Sequence, residues 1–460
     1  MSDYQLLVIG AGPGGYTAAL RAAKLGLHTA IVERREVGGT CLNRGCIPTK
    51  TLLHASQVYH DAANGAAVGV HGALSYDMRE MFAFKRSVSE KLRGGILSLL
   101  KSAKVDVLEG TAQITAPGQV SVTDADGTRT AYTAERILAA TGSVNVRPPI
   151  PGLDLPGVMT SDELLEGTDT PYASIVIIGG GVIGVEFATF YSHLGCRVTL
   201  VEGMANLLPQ LDRELGQNLA QILKKQGVEV LTSAMVRSLE QTGEGLCVHL
   251  EQKGKELTVT GEKVLCAIGR RAYFDGLFAP DLNPALNGKR LLVDEDYCTS
   301  IPGVYAIGDA SAAVQLAHVA AAQGTDCVER MCGGKGSTDL NVIPSCIYSA
   351  PEIAVVGLTE AEAKEQGIPA VSGKCTLFSN ARTIIEDPGR CFMKLVARSD
   401  TREIIGAQLM CQHASDMISQ LSTAMVNHLT ARQLLSVIRP HPSFEEAMTA
   451  ALEDLCEKLG

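Results

Sequence analysis

A glycine-rich turn of the pattern GxGxxG occurs twice in this chain of 460 residues, as GAGPGG from Gly10 and as GGGVIG from Gly179. Each turn follows a short apolar segment and precedes a stretch rich in small apolar residues, after which a second apolar segment begins. This order predicts a strand, a tight turn, a helix and a parallel strand, which is one βαβ unit. Because the unit is repeated, we expect two nucleotide-binding folds of the same kind.

The three glycines of such a turn have separate physical roles. The first allows the tight bend, the second lets the backbone approach a pyrophosphate, and the third lets the helix pack closely against the strand. All three positions are glycine in both turns, at Gly10, Gly12 and Gly15 and again at Gly179, Gly181 and Gly184.

A glutamate ends the second strand of each unit, Glu33 in the first and Glu202 in the second. A carboxylate at this position accepts hydrogen bonds from the ribose hydroxyls of a dinucleotide, and it repels the 2′-phosphate of NADP. The segment GMANLLP after Glu202 contains no Arg to receive such a phosphate. The second site is therefore predicted to take NAD, the alternative being that Glu202 only ends a strand in solvent.

Two cysteines five positions apart, Cys41 and Cys46, lie in the segment GGTCLNRGCIPTK shortly after the first unit. A helix-like apolar pattern follows them, so at least one sulfur should lie near a helix N-terminus, which stabilises a thiolate. Thiols at this spacing on a glycine-bounded turn can close a small, accessible disulfide. The pair is predicted to be a redox couple; the alternative is that two of the 13 cysteines fall close together by chance as small buried apolar residues.

A dithiol and a nicotinamide exchange electrons by different chemistry. The dithiol reacts by thiolate attack and thiol release, whereas the nicotinamide takes or gives a hydride. A flavin can connect the two. We therefore expect FAD in the first site, next to the cysteines in sequence, and NAD in the second. The sequence thus predicts a flavin-dependent disulfide oxidoreductase.

The bulk properties exclude several other classes of protein. A net charge of -10 without basic runs argues against a nucleic-acid or anionic-membrane partner. No apolar run reaches about 18 residues, the length of a membrane-spanning helix. The N-terminus MSDYQLLVIG has none of the features of a secretory signal. We expect a cytoplasmic protein, and no metal site is predicted.

The length predicts several domains, and the Pro-rich stretch RPPIPGLDLPG marks one boundary. The predicted fold class is α/β, with two Rossmann-like FAD- and NAD(P)-binding domains and a C-terminal α+β domain. Residues 1–150 should form the first part of the FAD domain and residues 151–270 the NAD domain. Residues 271–342 should complete the FAD domain, and residues 343–460 should form the C-terminal domain.

The ordered motifs of the chain resemble those of the pyridine nucleotide-disulfide oxidoreductases, and within that family they are most similar to the dihydrolipoamide dehydrogenases. The resemblance rests on GGTCLNRGCIPTK, the doubled GxGxxG, ATGS, AIGRR, GVYAIGDA and HPSFEE, and it covers essentially all 460 residues. It implies oxidation of protein-bound dihydrolipoamide with reduction of NAD+ to NADH. The lipoyl-bearing partner would belong to a 2-oxoacid dehydrogenase complex or the glycine cleavage system.

The resemblance also implies roles for the residues around the cysteine pair. Cys41 would be the interchange thiol that meets the substrate, and Cys46 the charge-transfer thiolate beside the flavin. Lys50 would contact the flavin and pair with Glu186.

His441 would be the acid-base group, oriented by Glu446. An imidazole that titrates near neutrality suits this task, and a carboxylate partner fixes its tautomer. Family members carry this His at the flavin site of the other subunit, so the C-terminal domain would be a dimerisation domain in an obligate homodimer. One departure from the family pattern is Arg439, where dihydrolipoamide dehydrogenases commonly carry a second His.

Further cofactor contacts follow from the same resemblance. Asp309 would bind the ribityl chain of the flavin, and the helix that opens at residues 316–318 would direct its amides at the polar edge of the flavin ring. The full predicted set is Gly10, Gly12, Gly15, Glu33, Gly39, Thr40, Lys50, Ala112, Thr141, Gly142, Ser143, Asp309, Leu316, Ala317 and His318 for FAD, and Gly179, Gly181, Gly184, Glu202 and Gly269 for NAD.

Other members of the family and one other class are the alternatives. A glutathione-type reductase would require NADPH, which Glu202 and the missing Arg oppose. A mercuric reductase or a large thioredoxin reductase needs a second redox pair near its C-terminus, where only Cys456 lies. A non-catalytic flavin-binding subunit need not keep the cysteine pair together with His441 and Glu446.

Overall fold

The computed structural model describes residues 2–167, 169–336, 338–386 and 389–460. Its strands are β1 Tyr4–Ile9, β2 Thr29–Glu33, β3 Asp106–Glu109, β4 Thr111–Ala116, β5 Gln119–Thr123, β6 Arg129–Ala139, β7 Ser143–Asn145, β8 Val158–Thr160, β9 Ser174–Ile178, β10 Arg197–Val201, β11 Glu229–Leu231, β12 Ala234–Thr242, β13 Gly245–Gln252, β14 Lys255–Gly261, β15 Lys263–Cys266, β16 Arg270–Ala272, β17 Leu286–Asn287, β18 Arg290–Leu291, β19 Val304–Ala306, β20 Ser345–Ile347, β21 Ile353–Gly357, β22 Ala370–Thr376, β23 Phe392–Arg398 and β24 Ile404–Met410.

The helices connect these strands. They are α1 Pro13–Lys24, α2 Gly39–Arg44, α3 Cys46–Ala63, α4 Met78–Ser102, α5 Ser161–Gly167, α6 Val182–His193, α7 Arg213–Lys225, α8 Ala317–Met331, α9 Glu360–Glu365, α10 Ala381–Glu386, α11 Ala414–Val426, α12 Ala431–Leu435 and α13 Glu446–Leu459, with short 3-10 turns at Gly65–Val68, Gly308–Ala310 and Leu377–Ser379. None of the helices in the described ranges combines the length and apolarity that crossing a bilayer requires.

The first sheet contains the first βαβ unit. Among the described residues it has seven strands in the order β3-β2-β1-β6-β5-β4, with β19 paired to β6. The strands β3, β2, β1, β6 and β19 run parallel. Both faces of β1 are buried, because Leu6 and Val8 pack into one apolar cluster while Leu7 and Ile9 pack into another. A continuous apolar run is typical of a parallel strand covered on both sides.

The second sheet repeats this arrangement with the order β11-β10-β9-β15-β8, all parallel. Alternate residues of β9 again enter separate clusters: Ile175 and Ile177 pack with α6, and Val176 and Ile178 pack against the sheet β12-β13-β14. A two-stranded ladder of β7 and β16 links the first sheet to the second.

The C-terminal residues form an antiparallel sheet in the order β20-β21-β24-β23-β22. Helices α11 and α13 pack on this sheet through one apolar cluster. The predicted fold class, two Rossmann-like units and a C-terminal α+β unit, is confirmed.

Candidate active site

A cavity of about 1260 Å³ lies at the carboxyl ends of the parallel strands of both sheets. This is the edge at which open α/β sheets bind their ligands. Most of the residues predicted to hold the two dinucleotides line it: Gly10, Gly12, Glu33, Gly39, Thr40, Lys50, Ala112, Thr141, Gly142, Ser143, Gly179, Gly181, Glu202, Gly269, Asp309, Leu316, Ala317 and His318.

The two glycine turns have nearly the same geometry. Gly10 has φ 101° and Gly179 has φ 112°, a region that other residues rarely adopt. A Cβ added at either residue would lie 2.4 Å from a backbone carbonyl oxygen, that of Ala140 or that of Ala267. Each turn therefore bends sharply against the end of the neighbouring parallel strand.

The third glycine of each turn lies behind the cavity, between helix and strand. A Cβ on Gly15 would come within 1.8 Å of the Gly10 oxygen, and a Cβ on Gly184 would come equally close to the Gly179 oxygen. These two glycines are required for packing, as the motif predicts, and they are not part of the described cavity wall.

The helices that begin at the two turns suit the binding of pyrophosphate. Gly12 is the N-cap of α1 and Gly181 is the N-cap of α6, and neither cap has a side-chain hydrogen bond. Both glycines line the cavity, so the unpaired amides and the positive end of each helix face it. Two such ends in one cavity fit the two pyrophosphates of FAD and NAD.

Glu33 and Glu202 have a structural contact that the sequence analysis missed. Glu33 Oε2 accepts the amide of Ala11 at 2.8 Å, and Glu202 Oε2 accepts the amide of Gly180 at 2.6 Å. Each carboxylate thus joins its strand end to the adjacent glycine turn. Glu202 is 8% exposed, so it is not a freely solvated strand end.

The cysteine pair lies between two helices on the cavity wall. Cys41 belongs to α2, and Cys46 is the first residue of α3, so one sulfur is at a helix N-terminus as predicted. Both residues are free thiols in the structure, and each thiol shifts the pKa of the other.

The environment separates the acidities of the two thiols. The hydrogen bond from Cys41 and the nearby Lys50 charge lower the pKa of Cys46 to about 7, although burial opposes this shift. The same hydrogen bond, together with burial, raises the pKa of Cys41 well above its ordinary value. The two shifts have opposite directions, so Cys46 is the more acidic thiol of the pair.

Lys50 forms the ion pair with Glu186 that the resemblance implied. Its Nζ lies 2.8 and 2.7 Å from the two carboxylate oxygens, and Glu186 is 3% exposed. Burial alone would lower the pKa of Lys50, but the charge of Glu186 raises it. The Tyr348 amide donates to Glu186 Oε1 at 3.1 Å, and the centroid of the Tyr348 ring lies 4.7 Å from Lys50 Nζ. Nothing in the sequence around Tyr348 indicated this contact.

Asp309 and Ser143 are brought together across the cavity. The Ser143 hydroxyl donates to Asp309 Oδ2 at 2.6 Å and accepts from Arg270 Nε at 3.0 Å. Arg270 also reaches Asp162 on α5 at 3.1 Å. The AIGRR motif contains Arg270, but only the structure reveals that this residue braces the β7–β16 ladder between the two sheets.

His441 and Glu446 form the predicted pair, with Nδ1 2.9 Å from Oε1. The amide of Ser443 donates to the other carboxylate oxygen at 2.9 Å. This amide and His441 lower the pKa of Glu446. His441 is 74% exposed, and neither residue belongs to the described cavity wall. One chain therefore assembles the pair but does not bring it to the thiols.

A second ion-pair network, which the sequence analysis did not identify, holds Arg44, the last residue of α2. Arg44 is 6% exposed; its Nε lies 2.7 Å from Glu166 on α5, and its guanidinium also contacts Glu36. Arg35 reaches the same Glu166 oxygen at 2.6 Å. The network ties the segment that carries the two cysteines to α5, which connects β8 and β9 of the second sheet.

Comparison with known proteins agrees with this arrangement. The family model described as pyridine nucleotide-disulphide oxidoreductase matches residues 4–324, and the model of the dimerisation domain of that family matches residues 343–452. The dihydrolipoyl dehydrogenase of Bacillus subtilis is 37% identical over 98% of this chain and 97% of its own length. That of Geobacillus stearothermophilus is also 37% identical, over 98% of this chain and 96% of its own length.

Two solved structures superpose on nearly the whole chain. LpdA from Mycobacterium tuberculosis superposes with a TM-score of 0.89 at 27% identity, covering 98% of this chain and 99% of its own. The HOCl-induced flavoprotein disulfide reductase RclA from Escherichia coli, solved as a Cu(II) complex, superposes with a TM-score of 0.86 at 28% identity over the whole of both chains.

The ionisation of Cys46 gives a testable pH dependence. In the reduced protein, the ultraviolet absorbance of the Cys46 thiolate should fall as the pH drops through about 7, which is the pKa of Cys46. Cys46→Ser identifies this absorbance, because that variant lacks the thiolate. Lys50→Met removes a positive charge, so the midpoint should move to higher pH. Ultraviolet absorbance titration measures both. Lys374→Met, which disrupts an ion pair with Glu214, is the matched control, and an unchanged midpoint in Lys50→Met would contradict this electrostatic explanation.

The Arg44 network should contribute measurably to stability. Arg44→Met should lower the free energy of unfolding by about 1–3 kcal/mol, less than a fully buried pair would lose, because both carboxylates are partly exposed. Arg237→Met is the control, since the Arg237–Glu251 pair has both partners exposed and should contribute less than about 1 kcal/mol. Denaturant unfolding compares the two variants, and equal losses would rule out a special contribution from Arg44.

Proposed function

The chain belongs to the pyridine nucleotide-disulphide oxidoreductases, and we propose that it oxidises dihydrolipoamide to lipoamide while reducing NAD+ to NADH. The observation that carries the proposal is the Cys41–Cys46 pair on the wall of one cavity that also contains two uncapped glycine turns. Near full-length identity to dihydrolipoyl dehydrogenases supports this choice of substrate.

We assign FAD to the first turn and NAD to the second. Gly12, Glu33 and Asp309 would hold the FAD, and Gly181 and Glu202 would hold the NAD. Bound FAD would supply the two-electron chemistry that connects thiol oxidation to hydride transfer to a nicotinamide. The acidic end of β10, with no Arg or Lys among residues 203–211, supports NAD over NADP.

The protein's own residues carry the thiol chemistry. His441 of a second subunit takes a proton from one thiol of dihydrolipoamide, and that sulfur attacks Cys41 of the Cys41–Cys46 disulfide. The Cys41–Cys46 bond breaks and Cys46 leaves as a thiolate, which its lowered pKa favours. The second substrate thiol then attacks the substrate sulfur of the mixed disulfide and breaks its bond to Cys41. Lipoamide is released, and Cys41 takes up the proton that the second thiol loses.

Lys50 and Glu186 keep a positive charge beside the departing thiolate. Because Glu186 is buried and accepts the Tyr348 amide as well, it fixes the position of the ammonium group. The charge stabilises the Cys46 thiolate without a further proton transfer.

The separation of His441 from the thiols within one chain supports a two-fold dimer with shared sites. A dimerisation-domain match over residues 343–452 supports the same arrangement. In a two-fold dimer each C-terminal unit can present its His441–Glu446 pair to the other subunit's cavity. The lipoyl group would arrive on a carrier protein of a 2-oxoacid dehydrogenase complex or the glycine cleavage system, in the cytoplasm.

A second candidate is the reduction of a different disulfide by the same machinery. Arg439, two residues before His441, carries a positive charge and hydrogen-bonds Gln420 and Thr449 at 3.2 and 3.3 Å. A fixed positive charge near the acid-base pair would favour a disulfide that bears carboxylates. Turnover of glutathione disulfide with NADH that exceeds lipoamide turnover would select this candidate.

The principal test is steady-state turnover of dihydrolipoamide with NAD+ or NADP+. Wild-type protein should favour NAD+, and Cys46→Ser should retain bound flavin but lose at least ~1000-fold in turnover, because the electron pair has no route from the substrate. Cys375→Ser, at a half-buried cysteine in the C-terminal sheet, should keep wild-type activity. Substantial activity in Cys46→Ser would refute the proposal.

The shared site predicts complementation between two inactive variants. Homodimers of Cys46→Ser and of His441→Gln should each be inactive. Heterodimers of the two should contain one intact site, so co-expression should restore about a quarter of wild-type activity if the subunits pair at random. Tagged purification of the heterodimer followed by assay provides the measurement. Inactive heterodimers that retain flavin would show that each chain completes its own site.

A further inference from the structure

The sheet β12-β13-β14 carries an imidazole, a thiol and a carboxylate on one face, away from the active site. Glu240 pairs with Cys247 across β12 and β13, and His249 lies two residues further along β13. Directly paired residues and residues two apart project from the same face of a sheet. None of the three belongs to the described wall of the large cavity, and none of the sequence motifs named above includes them.

The three potential ligand atoms converge. The His249 imidazole nitrogen, the Cys247 sulfur and a Glu240 oxygen all lie within 4.8 Å of one another. His249 Nε2 is 3.0 Å from Glu240 Oε1. Among the described residues this is the single group of three or more such side chains that meets this distance.

The underlying sheet fixes these positions. The opposite face of β13 consists of Leu246, Val248 and Leu250, which are buried in the apolar cluster against the second sheet. A one-residue slip of β13 would expose all three, so the pairing register is strongly specified. The ligand positions therefore rest on a rigid element, which a metal site requires.

The neighbours on the ligand face leave room for a cation. Ser238 on β12 and Thr258 on β14 pair with His249, and Thr260 on β14 pairs with Cys247. These are short, neutral hydroxyl side chains. The His249 and Glu240 side chains are 39% and 60% exposed, so an ion can reach these two ligands from solvent, and Cys247 is the least exposed of the three.

A hydrogen bond between His249 and Glu240 accounts for the positions of these two side chains, but it does not account for a thiol beside them. Zn2+ accepts imidazole nitrogen, thiolate sulfur and carboxylate oxygen at about 2.0–2.3 Å, which in a tetrahedron places the ligand atoms roughly 3.3–3.8 Å apart. The observed separations, from 3.0 Å up to at most 4.8 Å, bracket that range.

We propose that Glu240, Cys247 and His249 form a Zn2+ site with water as the fourth ligand. Binding replaces the Cys247 S–H bond by an S–Zn bond and releases the thiol proton to solvent, so affinity should rise with pH. Because the ion ties β12 to β13 at a distance from the thiol couple, it should stabilise the second unit by mass action. The proposal does not depend on the identity of the disulfide substrate.

Co2+ is the probe for this site, because tetrahedral thiolate-bound Co2+ gives visible d–d bands at longer wavelength than flavin absorption. The oxidised holoenzyme, whose redox thiols are closed, should bind one Co2+ per chain with these bands, and Zn2+ should displace it. His249→Ala and Cys247→Ser should each weaken Co2+ binding at least about 10-fold. Repeating the titration in the Cys46→Ser background separates this site from the redox pair.

Cys298→Ser is the matched control, because it removes another half-buried thiol that lies beside a carboxylate, that of Asp294. It should leave the Co2+ bands unchanged. Glu240→Gln keeps the hydrogen bond to His249 but loses the charge, so it should weaken binding without loss of folding. Absence of tetrahedral bands in wild-type protein, or bands that persist undiminished in His249→Ala and Cys247→Ser, would overturn the proposal.

Discussion

The ion pair between Lys50 and Glu186 is the interaction on which the chemistry of this cavity depends. Lys50 lies one helical turn after Cys46 on α3, and Glu186 lies on α6, the helix that begins at the second glycine turn. Glu186 is buried and keeps Lys50 charged, and the charge of Lys50 lowers the pKa of Cys46. One contact thus joins the thiol couple to the second nucleotide unit and, after the larger effect of Cys41, helps to lower the pKa of Cys46.

The two nucleotide units pack their glycine turns in the same way. In each, the first glycine approaches a carbonyl of the adjacent strand, the third glycine approaches the first, and a glutamate accepts an amide of the turn. The same contacts recur because a tight strand-to-helix turn leaves no room for a Cβ at these positions. The two units differ in the segments that follow them. Helices α2 and α3, which carry the two cysteines, follow the first unit, whereas the sheet β12-β13-β14 follows the second.

The predicted fold class and the contact between Lys50 and Glu186 are both present in the structure. The glycine turns were predictable because their geometry is local, and each motif contains all the residues it needs. The brace at Arg270, the Arg44 network and the Tyr348 contacts were not predicted. Each joins residues more than 100 positions apart, and an ion pair or a ring contact between distant segments leaves no periodicity in the sequence.

The sequence by itself determined the two βαβ units, the cysteine pair and the placement of at least one of its sulfurs near a helix start, because these depend on spacing within short segments. Only the tertiary structure brought Arg44 to Glu166 and Tyr348 to the pair of Lys50 and Glu186. Strand pairing likewise brought Glu240, Cys247 and His249 to one face of a sheet. The physical reason is that pKa values and ligand geometry depend on distances between groups, and folding sets those distances between segments far apart in the chain.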